Sequence, residues 1–155
     1  YTDEFTLEAI GGSGSGTVTW AADNENVTVS ADTEDSAKAT VTVNGAVDEK
    51  VTITVNPCGS GGRLIQMGAY EDGLMAILKE KHEITWGKGN LPIYCTHCPV
   101  TEALEIEGTG DFRWVHPATN PDGSCGPECK YLLYKDKSDI DESYYTRIGK
   151  TKPVK

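Results

Sequence analysis

The chain has 155 residues and a formal net charge of −10, enough for one domain of ordinary size or two small ones. The acidity is uneven: residues 1–57 carry ten Asp and Glu against only Lys38 and Lys50, while the remainder is nearly balanced. An acidic opening stretch argues against nucleic acid and anionic membrane surfaces as partners, because both need a basic footprint, and no run approaches the ~18 apolar residues of a membrane-crossing helix. A chain that opens on Tyr1 with no visible signal peptide reads as a processed product or a fragment, which leaves its compartment open.

Residues 5–55 alternate apolar and polar side chains with the period of half-buried strands. Phe5, Leu7 and Ala9 open the pattern. Val18 and Trp20 follow, then Val27 and Val29, then Ala39, Val41 and Val43, and finally Val51, Ile53 and Val55. The intervening residues are mostly Thr, which with Val suits a pleated surface. Turn formers separate the runs: Gly11 to Gly16, Asp23 to Asn26, Asp32 to Ser36, and Asn44-Gly45. Five short strands with polar turns predict an antiparallel β-sandwich over residues 1–57. The Gly11–Gly16 run reads as a hairpin loop, or as a hinge that frees residues 1–10 to pair with a neighbouring subunit.

Two stretches carry a family resemblance. Phe5-Thr6-Leu7-Glu8-Ala9, then a Gly-rich run, then Gly16-Thr17-Val18-Thr19-Trp20-Ala21-Ala22-Asp23-Asn24-Glu25-Asn26-Val27 and the closing Lys50-Val51-Thr52-Ile53-Thr54-Val55 resemble the bacterial Ig-like domain of the Big-2 type. The resemblance covers about a third of the chain. It implies a small Ig-like β-sandwich that serves as a spacer, display or adhesion module on bacterial surface proteins and phage virions. Trp20 would be its core anchor, contributing ~2–3 kcal/mol when buried; a sugar-stacking role is the alternative.

Pro57-Cys58-Gly59-Ser60-Gly61-Gly62 reads as a linker, and a second, Cys-rich α+β domain is expected over 58–134. Tyr70, Leu74, Ile77, Leu78 and Lys81 fall on one helical face, with Glu71 and Asp72 in the first turn, which predicts one short helix over about 69–83. Gly73 weakens it by about 1 kcal/mol.

The cysteines stand at 58, 95, 98, 125 and 129. The last four form Cys-x2-Cys and Cys-x3-Cys, two close pairs with the spacing of a four-thiolate zinc site: Cys95, Cys98, Cys125 and Cys129. Ala103 to Ile106, a Gly108–Gly110 turn and Phe112 to Val115 read as a hairpin over about 103–115, and Tyr131 to Tyr134 as a third strand. That layout looks like a zinc ribbon, with the x3 spacing as its departure. In an oxidising compartment the same residues would form disulfides, with Cys58 left over or paired with one of them; free thiols are the third state. His97 and His116 are candidate replacements for one cysteine ligand. Ile93 to Leu104 is also locally similar to a thioredoxin-type redox motif, which implies thiol–disulfide exchange through Cys95 and Cys98.

Other chemistry is sparse. His82-Glu83 lacks the second histidine of a metalloprotease helix, and no nucleophile elbow or phosphate loop is present. Asp32, Glu34 and Asp35 could take a weak surface Ca²⁺. Asn26-Val27-Thr28 is a glycosylation sequon if the chain is secreted. Residues 135–155, with Tyr144, Tyr145, Arg147, Lys150, Lys152 and Lys155, read as an extended basic arm for an acidic neighbour. The expectation is a non-catalytic structural protein. Its first reading is a virion component such as a capsid decoration or tail protein, a homo-oligomer among other virion subunits. A secreted adhesin or filament subunit contacting a host glycan or protein is the alternative.

Overall fold

A computed structural model describes residues 3–8, 16–45, 49–108, 112–117 and 125–154. The chain is mainly β, with antiparallel sheets and few helices. All five strands expected in the opening region form: β1 (Asp3–Glu8), β2 (Thr19–Ala22), β3 (Val27–Ala31), β4 (Lys38–Val43) and β5 (Lys50–Asn56). Alternation places Val51, Ile53 and Val55 inward from β5 and Ala39 and Val41 inward from β4.

One sheet has the order β1-β4-β3. The other contains β2 and β5 and is completed by two later strands, β9 (Cys129–Tyr134) and β8 (Trp114–Val115), in the order β2-β5-β9-β8. A shared apolar layer fills the space between them: Val27 and Val41 from the first sheet meet Val51 and Ile53 from the second. Trp20 packs into this layer and also into a second cluster around Val18 and Val55, and its indole N–H donates to the Ser36 carbonyl at 2.9 Å. Trp20 is half-buried, so its role as a core residue is shared with its hydrogen bond.

β1 and β2 lie in different sheets, so they are not the two arms of one hairpin; β1 runs antiparallel to β4, with Phe5 opposite Val41. Residues 11–15 of the glycine run fall outside the described residues. The second sheet also crosses the boundary expected at residue 57: Val55 of β5 stands opposite Cys129 of β9, and Ile53 opposite Tyr131.

Three sequence expectations are corrected beyond β5. The helix expected over 69–83 does not form. Gly68 and Gly73 both adopt positive φ (72° and 79°), which ends a right-handed helix, and Ile77–Leu78 instead forms β6, paired with β7 (Leu91–Pro92). The short helix α1 (Gly61–Gln66) lies where a linker was read. Its two glycines are there for close packing: a Cβ on Gly62 would lie 2.0 Å from the Pro127 carbonyl oxygen.

Second, the first arm of the hairpin expected over 103–115 is helical. α2 (His97–Gly108) turns Pro99, Glu102, Ala103 and Ile106 toward the interior at helical spacing. Glu102 counts as polar in a sequence pattern and hides that face, yet it is fully buried. The expected strand at 112–115 survives as β8, which pairs with β9.

Third, residues 135–154 are not an extended arm. A 3-10 turn (Lys137–Asp139) and α3 (Glu142–Thr146) fold back, and Ile140, Tyr145 and Ile148 are buried. Ile140 and Tyr145 share a cluster with Phe112 and Val115. The basic residues serve this fold. Lys152 Nζ donates to the carbonyls of Ser138 and Ile140 at 2.7 and 2.6 Å, Lys150 pairs with Glu107, and Arg147 with Glu102. Lys155 lies outside the described residues.

Candidate functional site

The titratable chemistry gathers where β5 ends, β9 begins and α2 starts. Cys58 follows β5, and its backbone N–H donates to the Pro127 carbonyl at 2.8 Å, extending the contact between the two strands past their ladder. Cys129 opens β9 and shares an apolar cluster with Cys58, Val18 and Val55. Their thiols act on each other, and Cys58 Sγ also lies 3.9 Å from Ser60 Oγ.

A second group lies around Trp86, Leu91 and Ile148. Cys95, Cys98 and Cys125 all pack there. The Cys95 and Cys125 thiols act on each other. Gly61 makes room for it, since a Cβ at that position would lie 2.7 Å from Cys95 Sγ. Cys98, in the first turn of α2, has a different neighbour: its Sγ lies 3.4 Å from His97 Nε2, while His97 Nδ1 lies 2.5 Å from the Tyr94 carbonyl oxygen. A carbonyl can only accept, so Nδ1 carries the proton and Nε2 accepts from the thiol.

The electrostatics differ within each pair. The hydrogen bond from the Cys129 thiol lowers the Cys58 pKa to about 4; burial opposes this, and the backbone N–H groups of Gly62 and Ser60 assist it. Cys129 moves up, through the same hydrogen bond and burial. Cys125 is lowered by its bond from Cys95 and, against burial, by the Lys88 ammonium; Cys95 is raised by the same bond and by burial. Burial raises Cys98.

Beside the thiols sits a buried polar network that the sequence did not reveal. Glu102 accepts from the His116 backbone N–H at 2.9 Å, from His116 Nδ1 at 2.8 Å, from Trp86 Nε1 at 2.8 Å and from Arg147 Nη2 at 3.0 and 3.2 Å. Arg147 Nη1 also donates to the His116 carbonyl at 2.8 Å. Burial favours a protonated Glu102, but the hydrogen bonds from His116 and the positive charges of His116 and Arg147 outweigh it and hold the carboxyl below its ordinary value. Trp86 has a positive φ of 53°, a conformation a bulky residue adopts at a cost of about 1–3 kcal/mol and keeps when its surroundings over-determine it. Here the Glu102 bond and the guanidinium of Arg147, 5.5 Å from the ring, do so. His116 is enclosed by Trp86, Trp114 and Tyr131, and its Nε2 has no hydrogen-bond partner among the described residues.

The structure therefore brings all four expected ligands to one region and adds Cys58, the cysteine the sequence left over. It does not join the four as one set. Cys129 contacts Cys58, Cys125 contacts Cys95, and among the described residues no group of three or more His, Cys, Asp or Glu side chains is placed to hold a metal ion. The thiols also act on one another across the pairs: Cys98 and Cys58 act on Cys95, and Cys98 and Cys125 act on Cys129. Cys95 and Cys98, the partners of the redox motif, each face a different group. Elsewhere, Asp32 Oδ1 accepts from the backbone N–H groups of Glu34 and Asp35 at 2.8 and 2.9 Å, so that carboxylate closes its own turn. His82 Nδ1 accepts from the Ile84 N–H and caps a 3-10 turn. No described helix is long and apolar enough to cross a membrane. The chain matches no protein-family model, no curated protein and no solved structure.

Proposed function

We propose that the chain is a non-catalytic structural or interaction protein, a virion component such as a capsid decoration or tail subunit, displaying an Ig-like module of the Big-2 type. The observation that carries this reading is the seam at β5 and β9. The cysteine-bearing stretch gives its last strand to the sheet of β5, and Cys58 and Cys129 share an apolar cluster there. Reactive groups that are spent on joining segments are not spent on a substrate. A cleft of about 210 Å³ near Ile106, Phe112 and Tyr145 has no thiol or imidazole among the described residues that line it. The acidic opening stretch supports solubility and display rather than nucleic-acid binding.

A second reading, a secreted adhesin or filament subunit with oxidised cysteines, is favoured by the pairwise contact of the thiols. Metal analysis separates the two: one zinc per chain supports assembly in a reducing compartment, and disulfides without metal support secretion. Light scattering and co-sedimentation with particles or cells test the shared claim. The full chain is expected to self-associate or to bind such a surface, and a strictly monomeric chain that binds neither overturns it. Reduction of insulin by the purified chain would transfer the assignment to thiol–disulfide exchange.

A further inference from the structure

We infer that the five cysteines form a two-disulfide framework, Cys58–Cys129 and Cys95–Cys125, with Cys98 as the thiol left free. The inference rests on the oxidised reading above and adds the connectivity, which spacing alone leaves open.

The argument is one of placement. Strand register fixes the first pair. Val55 stands opposite Cys129, and the chain continues past β5 so that Cys58 hydrogen-bonds Pro127, two residues before Cys129. Cys58 and Cys129 share a cluster from which the other three cysteines are absent. The second pair is fixed by α1 and the entry to α2. Gly61 admits the Cys95 sulfur, and Cys95 and Cys125 both pack against the cluster of Trp86, Leu91 and Ile148. Cys98 is in that same cluster, but its thiol contact is the imidazole of its neighbour His97. The two bonds would flank α1, whose glycines lie against Pro127 on one side and Cys95 on the other. They would tie the end of β5, the 3-10 turn that leads into α2 and the start of β9, which are distant in sequence.

The chemistry needs an oxidant, and a small-molecule disulfide such as oxidised glutathione supplies it. One thiol of the pair loses its proton and attacks a glutathione sulfur, and the S–S bond breaks to release a glutathione thiolate. The other thiol then loses its proton and attacks the protein sulfur of the mixed disulfide, forming the Cys58–Cys129 bond and expelling a second glutathione thiolate. Two protein thiols are oxidised for each glutathione disulfide reduced to two thiols. Cys125 and Cys95 follow the same course.

The test is oxidation of the full-length chain in a glutathione redox buffer, then denaturing alkylation and peptide mapping. Each bond lowers the intact mass by about 2 Da before alkylation. Cleavage after Glu128 separates Cys125 from Cys129. The expected result is one alkylated cysteine, Cys98, and two linked peptide pairs carrying Cys58 with Cys129 and Cys95 with Cys125. Cys98→Ser is expected to keep both links and abolish labelling, which holds the test open if other cysteine variants fail to fold. A Cys95–Cys98 or Cys125–Cys129 link overturns the inference. So do five thiols that resist oxidation while retaining zinc. Either result leaves the assembly reading to its own scattering test.

Discussion

Glu102 and His116 meet twice: one carboxylate oxygen accepts the imidazole Nδ1–H at 2.8 Å and the backbone N–H of the same histidine at 2.9 Å, with both side chains out of solvent. The other oxygen is occupied by Trp86 and Arg147. One carboxylate thereby fastens α2 to the 3-10 turn at Trp86, to the end of β8 and to the residue after α3.

Removing that carboxylate leaves a guanidinium and an imidazole without their partner. Glu102→Ala is expected to cost about 3–5 kcal/mol of stability. Urea denaturation followed by circular dichroism measures it, and a loss below about 1 kcal/mol would show that the network contributes little.

The same residue sets a pH dependence. Its folded carboxyl titrates below the ordinary value of 4.5, so the stability it contributes is fully present above that value and disappears as pH falls through the lower folded one. Wild type should therefore exceed Glu102→Gln by a constant margin at neutral pH, and the margin should shrink under acid. A margin that grows toward low pH contradicts the sign.

Gly62 has no space for a side chain. A Cβ there would meet the Pro127 carbonyl oxygen at 2.0 Å and Cys58 Cβ at 3.0 Å. Gly62→Ala is expected to destabilise by about 1–3 kcal/mol through overpacking. Gly108→Ala, with none of the described residues within 4 Å of its Cβ, is the control and should stay within about 0.5 kcal/mol. Equal midpoints for the two variants in thermal unfolding would remove the argument from close packing.

Between the sheets, Ile53 is fully buried and Thr54 next to it is only half-buried. Ile53→Ala should cost about 2–5 kcal/mol, and Thr54→Ala no more than about 1 kcal/mol. Denaturant midpoints compare them, and a Thr54 effect as large as that of Ile53 would place the core on the wrong face of β5.

Period-two alternation by itself determined the five opening strands, because inward Val and Ile on β4 and β5 leave a signal that depends only on neighbours in the chain. The hairpin layout around the cysteines, not alternation, pointed to strands at 112–115 and 131–134, where β8 and β9 lie. What neither could carry was partnership. That β5 pairs with β9 rather than ending a separate unit, and that Cys58 contacts Cys129, are choices made by a strand more than seventy residues away. α2 escaped notice because its buried face contains Glu102, a residue that is buried only when Arg147 and His116 arrive from elsewhere to satisfy it. The glycines of α1 read as a linker until Pro127 and Cys95 press against them. Local pattern fixes which residues want to be inside; which of them meet depends on long-range contacts that a one-dimensional spacing does not encode.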